Sequence, residues 1–155
     1  MDRDTEGSSI QRQITGGRTV ITSFQGEYRF LSNFHPSTIT IKGQVYPTVE
    51  HAYQAGKALY RDEREMIQQA ISPGQAKRLG KIVIRKPDFE ERKLKYMEKC
   101  LREKFKDPRL ARLLLNTGSQ NLIEGNTWGD RFWGVCHGKG ENHLGRLLMK
   151  IREEL

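Results

Sequence analysis

The hydrophobic positions between residues 19 and 46 fall into short runs that are typical of β-strands. One run covers residues 20–24, and two more, 38–41 and 44–46, flank the pair Lys42 and Gly43. β-branched and aromatic residues are frequent in these runs, and a glycine-containing pair between two runs is typical of a tight turn. The pattern predicts one strand followed by an antiparallel hairpin.

From position 48 onward, hydrophobic residues recur every three or four positions, as they do on one face of an α-helix. Start and stop signals predict helices over residues 48–57, 62–70, 73–79, 89–106, 108–115 and 143–154. The predicted N-caps are Thr48, Ser72, Asp88 and Asn142. The predicted inward positions are Val49, Ala52, Gly56 and Leu59 on the first helix, Leu94, Met97, Leu101 and Phe105 on the fourth, and Leu144, Leu147, Leu148 and Ile151 on the last.

These elements predict an α+β fold, a single compact and mostly helical domain with a small antiparallel β-sheet or hairpin. With 155 residues, the chain is long enough to bury one hydrophobic core. Residues 1–18 are polar and contain few large hydrophobic side chains, so we expect a flexible N-terminal tail there. The folded domain is expected to span residues 19–155.

The charge balance favours anionic partners. Lys and Arg total 27 while Asp and Glu total 19, which gives a net charge of +8. Such a charge attracts phosphorylated metabolites, nucleotides or nucleic acid without choosing among them. The sequence shows neither an apolar run of membrane-spanning length nor an apolar N-terminal block, so we expect a soluble cytoplasmic protein that binds no membrane. Cys100 and Cys136 fit free thiols in a reducing compartment.

The first predicted helix carries an unusual polar stripe. Glu50, Tyr53, Gln54 and Lys57 lie at positions i, i+3, i+4 and i+7 and therefore share one face. The acid and the amine are two turns apart, roughly 10 Å of helical rise, which suits two sides of one ligand. The simpler interpretation is a capped surface helix with a solvated face, and the spacing alone does not decide between the two.

A second group of candidates lies in a glycine-rich loop over residues 125–143. It contains Trp128, Asp130 and Trp133, and Glu124 directly precedes it. Glycine allows backbone to approach a ligand, and indole rings supply flat walls, so such loops often carry binding groups. The polar residues Arg29 and Asn33, in the aromatic-rich segment 28–34, are further candidates, whereas Phe30 and Phe34 are expected in the core.

Two carboxylates and an amine suit the cleavage of a glycosidic bond. One carboxyl group can transfer protons while another stabilises the developing positive charge on the sugar. Lys57 could neutralise a phosphate or, with its pKa lowered by burial, attack the anomeric carbon or the ring-opened aldehyde to form a Schiff base. The histidines have no zinc-ligand spacing, and no Walker A or usable GxGxxG motif is present, so neither a metal nor a cofactor is expected.

The same residues form part of a larger set of ordered motifs that extends from about Ile21 to the end of the chain. The motifs are Phe30-Leu31-Ser32-Asn33-Phe34, Tyr46-Pro47-Thr48-Val49-Glu50-His51 with Gln54 and Lys57, Ser72-Pro73 with Ala76-Lys77-Arg78-Leu79-Gly80, Lys104-Phe105, Gly129-Asp130 with Phe132-Trp133-Gly134, and Asn142 with Leu144-Gly145-Arg146-Leu147-Leu148-Met149 and Ile151-Arg152. Together they resemble the YbiA-like or NADAR family. Many relatives have tryptophan after the aspartate at position 88, whereas this chain has Phe89, so no ligand-wall role is expected at that position.

The resemblance implies N-glycosidase activity on the bond between ribose C1 and a base nitrogen. Two substrate classes are associated with the family, ADP-ribose on guanine in DNA or RNA and phosphorylated early intermediates of riboflavin synthesis. We favour the first because of the positive charge, and that activity would reverse a modification made by a partner ADP-ribosyltransferase. A non-catalytic reader of ADP-ribose or nucleic acid is the alternative from another functional class.

The resemblance also implies which residues are catalytic, namely Glu50, Lys57 and Asp130. Our mechanistic hypothesis is that Lys57 engages the sugar carbon, Glu50 moves protons, and Asp130 positions the sugar or activates water. The expected substrate-binding residues are Arg29, Asn33, Tyr53, Gln54, Glu124, Trp128, Trp133 and Asn142.

Overall fold

The computed structural model describes residues 12–15 and 18–155, with side chains from Thr19 onward. The chain divides into two units, Met1–Ser32 with Pro108–Leu155 and Asn33–Asp107. Helices predominate, and the strands are short, so the predicted mostly helical α+β class is confirmed. No helix among the described residues is long and apolar enough to cross a membrane.

The unit formed by Asn33–Asp107 begins with the predicted hairpin. Its strands are β3 (Ile39–Ile41) and β4 (Gln44–Tyr46), paired antiparallel. The turn places Lys42 and Gly43 in the left-handed backbone region, with φ of 51° and 77°, as a two-residue hairpin turn requires. The helices that follow are α1 (Val49–Lys57), α2 (Arg61–Gln68), α3 (Pro73–Leu79) and α4 (Phe89–Lys104).

The unit Asn33–Asp107 buries the hydrophobic faces of its helices against one another. Val49, Ala52, Ile67, Met97 and Leu101 are almost completely inaccessible to solvent. The caps at the start of α1 and α3 are those predicted, because the Thr48 and Ser72 hydroxyls accept hydrogen bonds from the amides three residues later. The predicted cap residues therefore mark the starts of these two helices.

The other unit combines two small sheets with two helices. In the first sheet, β1 (Arg12–Thr15) is antiparallel to β2 (Arg18–Ile21), which is parallel to β5 (Asn121–Leu122). The second sheet pairs β6 (Gly125–Asn126) in parallel with β7 (Val135–Cys136), within the stretch predicted to be a loop. A 3₁₀ helix (Gly26–Leu31), α5 (Pro108–Leu115) and α6 (His143–Glu154) complete the unit.

Some predicted details are wrong. Leu59 is 40% exposed because α1 ends at Lys57, where the chain becomes extended and the Leu59 amide donates to the Ile84 carbonyl. Leu94 is also exposed, and Leu147 is only half-buried, although the other predicted core positions of their helices are buried. Residues 12–15 form β1 within the predicted tail 1–18, and residues 1–11 and 16–17 of that tail lie outside the described residues.

Candidate active site

The polar stripe of α1 is buried, which excludes the alternative of a solvated helix face. Glu50, Tyr53, Gln54 and Lys57 are each less than 9% exposed. Burying charged side chains is costly unless the surroundings compensate for lost hydration, so the burial of both Glu50 and Lys57 on one short helix indicates a functional constraint.

Hydrogen bonds within the stripe connect its first two turns. The Gln54 Nε2 group donates to Glu50 Oε1 at 2.8 Å. Gln54 Oε1 is buried and has no hydrogen-bond partner among the described residues. Gly80 packs against this oxygen so closely that a methyl group there would overlap it. Gly80 directly follows the helix Pro73–Leu79, and its lack of a side chain makes room for Gln54.

The Lys57 side chain lies against aromatic rings. Its Nζ atom is 5.1 Å from the centroid of the Tyr53 ring, and Tyr53 in turn packs on Phe89 with a centroid separation of 5.5 Å. Phe89 is 4% exposed and lies in the core. These rings remove water from the amine.

Burial is the main reason why the pKa of Lys57 falls from its usual 10.5 to about 8. The guanidinium of Arg85 lowers this pKa further, and the Lys93 ammonium has the same effect. The carboxylates of Glu50 and Glu90 act in the opposite direction. With a pKa of about 8, about a tenth of the Lys57 side chains are neutral at pH 7 and can act as nucleophiles.

Asn33 joins the stripe from the preceding loop. Its backbone carbonyl accepts from the Glu50 amide at 3.1 Å, which anchors the loop to the start of α1. Its Nδ2 group lies 3.6 Å from the Met97 sulfur, and its buried Oδ1 has no hydrogen-bond partner among the described residues. Asn33 and Gln54 thus both present unpaired amide oxygens, the kind of group that a polar ligand satisfies.

In the other unit, Asp130 organises the turn that carries Trp133. Its Oδ1 atom accepts from the Phe132 and Trp133 amides at 3.1 and 2.9 Å, and the described contacts of this carboxylate all involve Oδ1. The Trp133 ring is half-buried and meets the Phe132 ring edge-on at 4.8 Å. Asp130 therefore has a structural task in addition to its expected catalytic role.

Asn126 was missed by the sequence analysis and connects Glu124 with Asp130. Its Nδ2 group donates to Glu124 Oε2 at 3.1 Å and to the Asp130 carbonyl at 2.8 Å, while its Oδ1 accepts from the Asp130 amide at 3.0 Å. It is only 9% exposed. A single asparagine in a glycine-rich loop carries no periodic signal, and only its spacing of four residues from Asp130 could have drawn attention to it.

Asn142 has a different local role from the cap that was predicted. Its backbone is left-handed, with φ of 54°, and its side chain makes no capping bond to α6. Instead Oδ1 accepts from the Glu124 amide at 3.0 Å and Nδ2 donates to the Leu122 carbonyl at 2.9 Å. Asn142 therefore holds the segment that carries Glu124.

The remaining predicted residues are Arg29 and Trp128, which are exposed in the unit formed by Met1–Ser32 and Pro108–Leu155. Arg29 is exposed in the 3₁₀ helix and donates to Gln25 Oε1 at 3.2 Å. Trp128 is 57% exposed. The structure thus brings Asn33, Glu50, Tyr53, Gln54 and Lys57 together in one unit, and Glu124, Asn126, Asp130, Trp133 and Asn142 together in the other. Among the described residues, no cluster of three or more His, Cys, Asp or Glu could hold a metal ion.

We expect Asn126→Ala to destabilise the protein by about 1–3 kcal/mol, because it leaves the half-buried amide and carbonyl of Asp130 without their Asn126 partners. Urea denaturation measures this change. Thr127→Ala, at the exposed neighbouring position, is the matched control and should stay within about 0.5 kcal/mol of wild type. Equal stability of the two variants would show that Asn126 does not hold this turn.

Comparison with known proteins adds independent information. The NADAR domain family model matches residues 22–155. The N-glycosidase YbiA of Escherichia coli (strain K12) is 40% identical over 137 residues, which cover 86% of this chain and 85% of the relative. The NMR structure of E. coli YbiA matches with a TM-score of 0.80 at 38% identity, covering 94% of this chain and 88% of that chain.

A second kind of relative is larger than this chain. The Riboflavin biosynthesis protein VVA0006 of Vibrio vulnificus (strain YJ016) is 40% identical over 132 residues, which cover 81% of this chain and 35% of the relative. Similar sequences therefore occur both as proteins of about this length and as part of a longer one.

Proposed function

The chain is an N-glycosidase of the NADAR family, and we propose that it removes ADP-ribose from ADP-ribosylated guanine in DNA or RNA. The observation that carries the mechanism is the buried Lys57 amine, whose pKa of about 8 makes it a nucleophile near neutral pH, on the same helix face as the Glu50 carboxyl group. The net charge of +8 supports a nucleic-acid substrate.

In the proposed reaction, the neutral Lys57 amine attacks ribose C1. The bond from C1 to the guanine nitrogen breaks, and its electron pair leaves with the base. The Glu50 carboxylate takes a proton from the attached, positively charged amine and delivers it to the departing base nitrogen. The second proton of the attached amine passes to the ring oxygen as the ribose ring opens, which gives a Schiff base with a C1=N double bond. Water then adds to the C1–N bond and releases ADP-ribose and free Lys57.

Other residues are proposed to prepare this reaction. Asp130 positions the sugar or activates the water. Its Oδ1 atom accepts the two hydrogen bonds of the turn, so Oδ2 is the oxygen proposed to face the substrate. The buried amide oxygens of Asn33 and Gln54 accept hydrogen bonds from substrate hydroxyl or amino groups. Tyr53 and Trp133 supply aromatic surfaces for a base or the sugar.

A second substrate class has specific support. The 40% identity to a riboflavin biosynthesis protein favours phosphorylated early intermediates of riboflavin synthesis. These compounds also carry a ribose-type C1–N bond and a phosphate, so the same amine and carboxyl group could cleave them. The two substrate classes differ in the leaving base and in the size of the attached group.

Parallel assays separate these candidates. The protein is incubated with an oligonucleotide carrying ADP-ribosylated guanine and, separately, with the phosphorylated riboflavin intermediates, and released base or amine is followed by chromatography. We expect faster turnover, expressed as kcat/KM, on the oligonucleotide. Faster turnover of the riboflavin intermediates would replace our proposal with the second class, and tight binding without turnover of either would indicate a non-catalytic reader.

If ADP-ribosylated guanine is the substrate, the enzyme reverses the product of an ADP-ribosyltransferase. We therefore propose a functional pairing with such a transferase. Modified nucleic acid from a reaction with a transferase should be returned to unmodified guanine by this protein, and mass spectrometry of the nucleic acid measures that return.

The pH profile of wild type should rise with pH and reach half its maximum near pH 8, because the attacking amine must lose its proton. Arg85→Gln should move this midpoint upward by about 0.5 pH unit, about 0.7 kcal/mol, since removing a nearby positive charge makes Lys57 easier to protonate. It also frees Glu90 from its ion pair with Arg85, which acts in the same direction.

The measurement is log kcat/KM between about pH 6 and 9.5. Arg92→Gln is the matched control, because Arg92 pairs with Asp88 and is absent from the charges that act on Lys57. An unchanged or downward-shifted midpoint in Arg85→Gln would show that the limiting group is not Lys57.

A further inference from the structure

A basic pocket lies within the unit Asn33–Asp107, beside the hairpin and α2. Its volume is about 360 Å³, a size typical of small-ligand pockets. The four cationic side chains that line it are Lys42, Arg61, Arg64 and Lys86. Glu65 is the acid among the described lining residues, and it pairs with Arg61 at 3.0 Å. None of the described lining residues belongs to the polar stripe of α1.

Part of the pocket lining is fixed by close packing. The Tyr96 ring lies against Gly56, where a methyl group would overlap it, and its hydroxyl donates to the Ala52 carbonyl at 2.6 Å. Gln68 ties α2 to the hairpin by donating to the Val45 carbonyl at 2.8 Å. These contacts hold the pocket open in a defined shape, which reduces the conformational cost of binding a ligand.

One of the cationic side chains, that of Arg64, is also held in place. Arg64 donates through Nη1 to the carbonyls of Ala58 and Leu59 at 3.1 and 2.7 Å. A guanidinium has five N–H donors, so the others stay available to a ligand. The tight hairpin turn fixes the backbone of Lys42, which lines the pocket.

The positive charge in the pocket is poorly balanced. Burial lowers the pKa of Lys86, and the nearby charges of Arg64, Lys42 and Arg92 lower it further, while the Asp88 carboxylate acts in the opposite direction. An anion placed between these groups would relieve their repulsion. The planar guanidinium group of arginine and the ammonium group of lysine are the usual binding groups for phosphate.

We propose that this pocket is a second anion-binding site, which holds a phosphate group of a ligand apart from the Glu50–Lys57 stripe. The phosphate can belong to a free phosphorylated molecule or to a nucleic-acid strand, and the chemistry of recognition is the same. The proposal does not depend on the N-glycosidase activity, since it concerns binding by residues that the proposed reaction does not use.

Calorimetric titration at about 50 mM salt tests the proposal with two probes, inorganic pyrophosphate and a short single-stranded DNA. The double variant Lys42→Asn with Lys86→Gln removes two pocket charges, and asparagine tolerates the left-handed backbone at position 42. The matched control is Lys81→Asn with Lys95→Gln, which removes two exposed charges from the same unit outside the pocket.

We expect the pocket variant to bind at least one probe about tenfold or more weakly than wild type, with the control within about twofold. A loss confined to pyrophosphate identifies a free phosphorylated ligand, and a loss with DNA, accompanied by a smaller salt dependence, identifies nucleic acid. Equal affinities of pocket variant and control, or no binding of either probe to wild type, would overturn the proposal. Lys42→Asn alone should weaken binding in the same direction if the double variant unfolds.

Discussion

Lys57→Ala should lower kcat by at least about 1,000-fold, about 4 kcal/mol of activation free energy, because alanine has no amine to attack ribose C1. Wild type reduced with borohydride during turnover should carry a ribose-derived adduct on Lys57, and the variant should carry none. Released base and intact-protein mass spectrometry provide the two measurements. Far-ultraviolet circular dichroism would establish that the variant is folded.

Two further variants isolate the nucleophilic role. Lys57→Arg keeps the positive charge but offers a guanidinium that stays protonated, so it should be as inactive as Lys57→Ala. Lys95→Ala removes an exposed lysine of α4 and should keep wild-type turnover and the adduct. If Lys57→Arg retained activity, charge at position 57 would matter and covalent catalysis would not be the mechanism.

The polar stripe illustrates how far local sequence reasoning reaches. Spacing placed Glu50, Gln54 and Lys57 on one face, because helical periodicity depends only on local geometry. Their burial could not be predicted in this way, since Phe89 and Tyr96, which cover Tyr53 and the helix, come from about 40 residues further along the chain. The lowered pKa of Lys57 is a consequence of that burial and was equally out of reach.

The caps show the same distinction. Thr48 and Ser72 bond to amides three residues later, so their roles follow from the nearby sequence. Asn142 looks equally suitable as a cap, yet its side chain bonds to Leu122 and Glu124, about 20 residues earlier. Asn126 likewise acts by joining Glu124 and Asp130 within a folded turn. Side-chain roles that depend on where another segment lies could not be predicted from composition or spacing.

The parallel pair of β6 and β7 was missed for a related reason. Each of these strands consists of two residues, which is too short for an alternating pattern to appear. They exist because a partner strand from elsewhere in the unit is available, as when β2 pairs with β5 across about 100 residues of sequence. In contrast, the hairpin of β3 and β4 is local and was predicted with its turn.

Glu50→Gln should lower kcat by about 100- to 10,000-fold while changing KM much less, because the departing base loses its proton donor but the binding groups remain. Glutamine is nearly the same size and can still accept the hydrogen bond from Gln54 Nε2. Glu91→Gln, at an exposed position on α4, is the matched control and should behave as wild type.

Glu50→Gln also changes the pKa of Lys57, and the direction of that change makes the variant a discriminating test. The Glu50 carboxylate raises the pKa of Lys57, so its removal should lower that pKa and make the neutral amine more abundant at pH 7. A loss of turnover therefore cannot result from protonation of Lys57 and has to be assigned to proton transfer. The defect should shrink on a substrate whose base leaves readily without protonation. Unchanged kcat in Glu50→Gln, or an equal defect on both substrates, would remove Glu50 from the proton-transfer step.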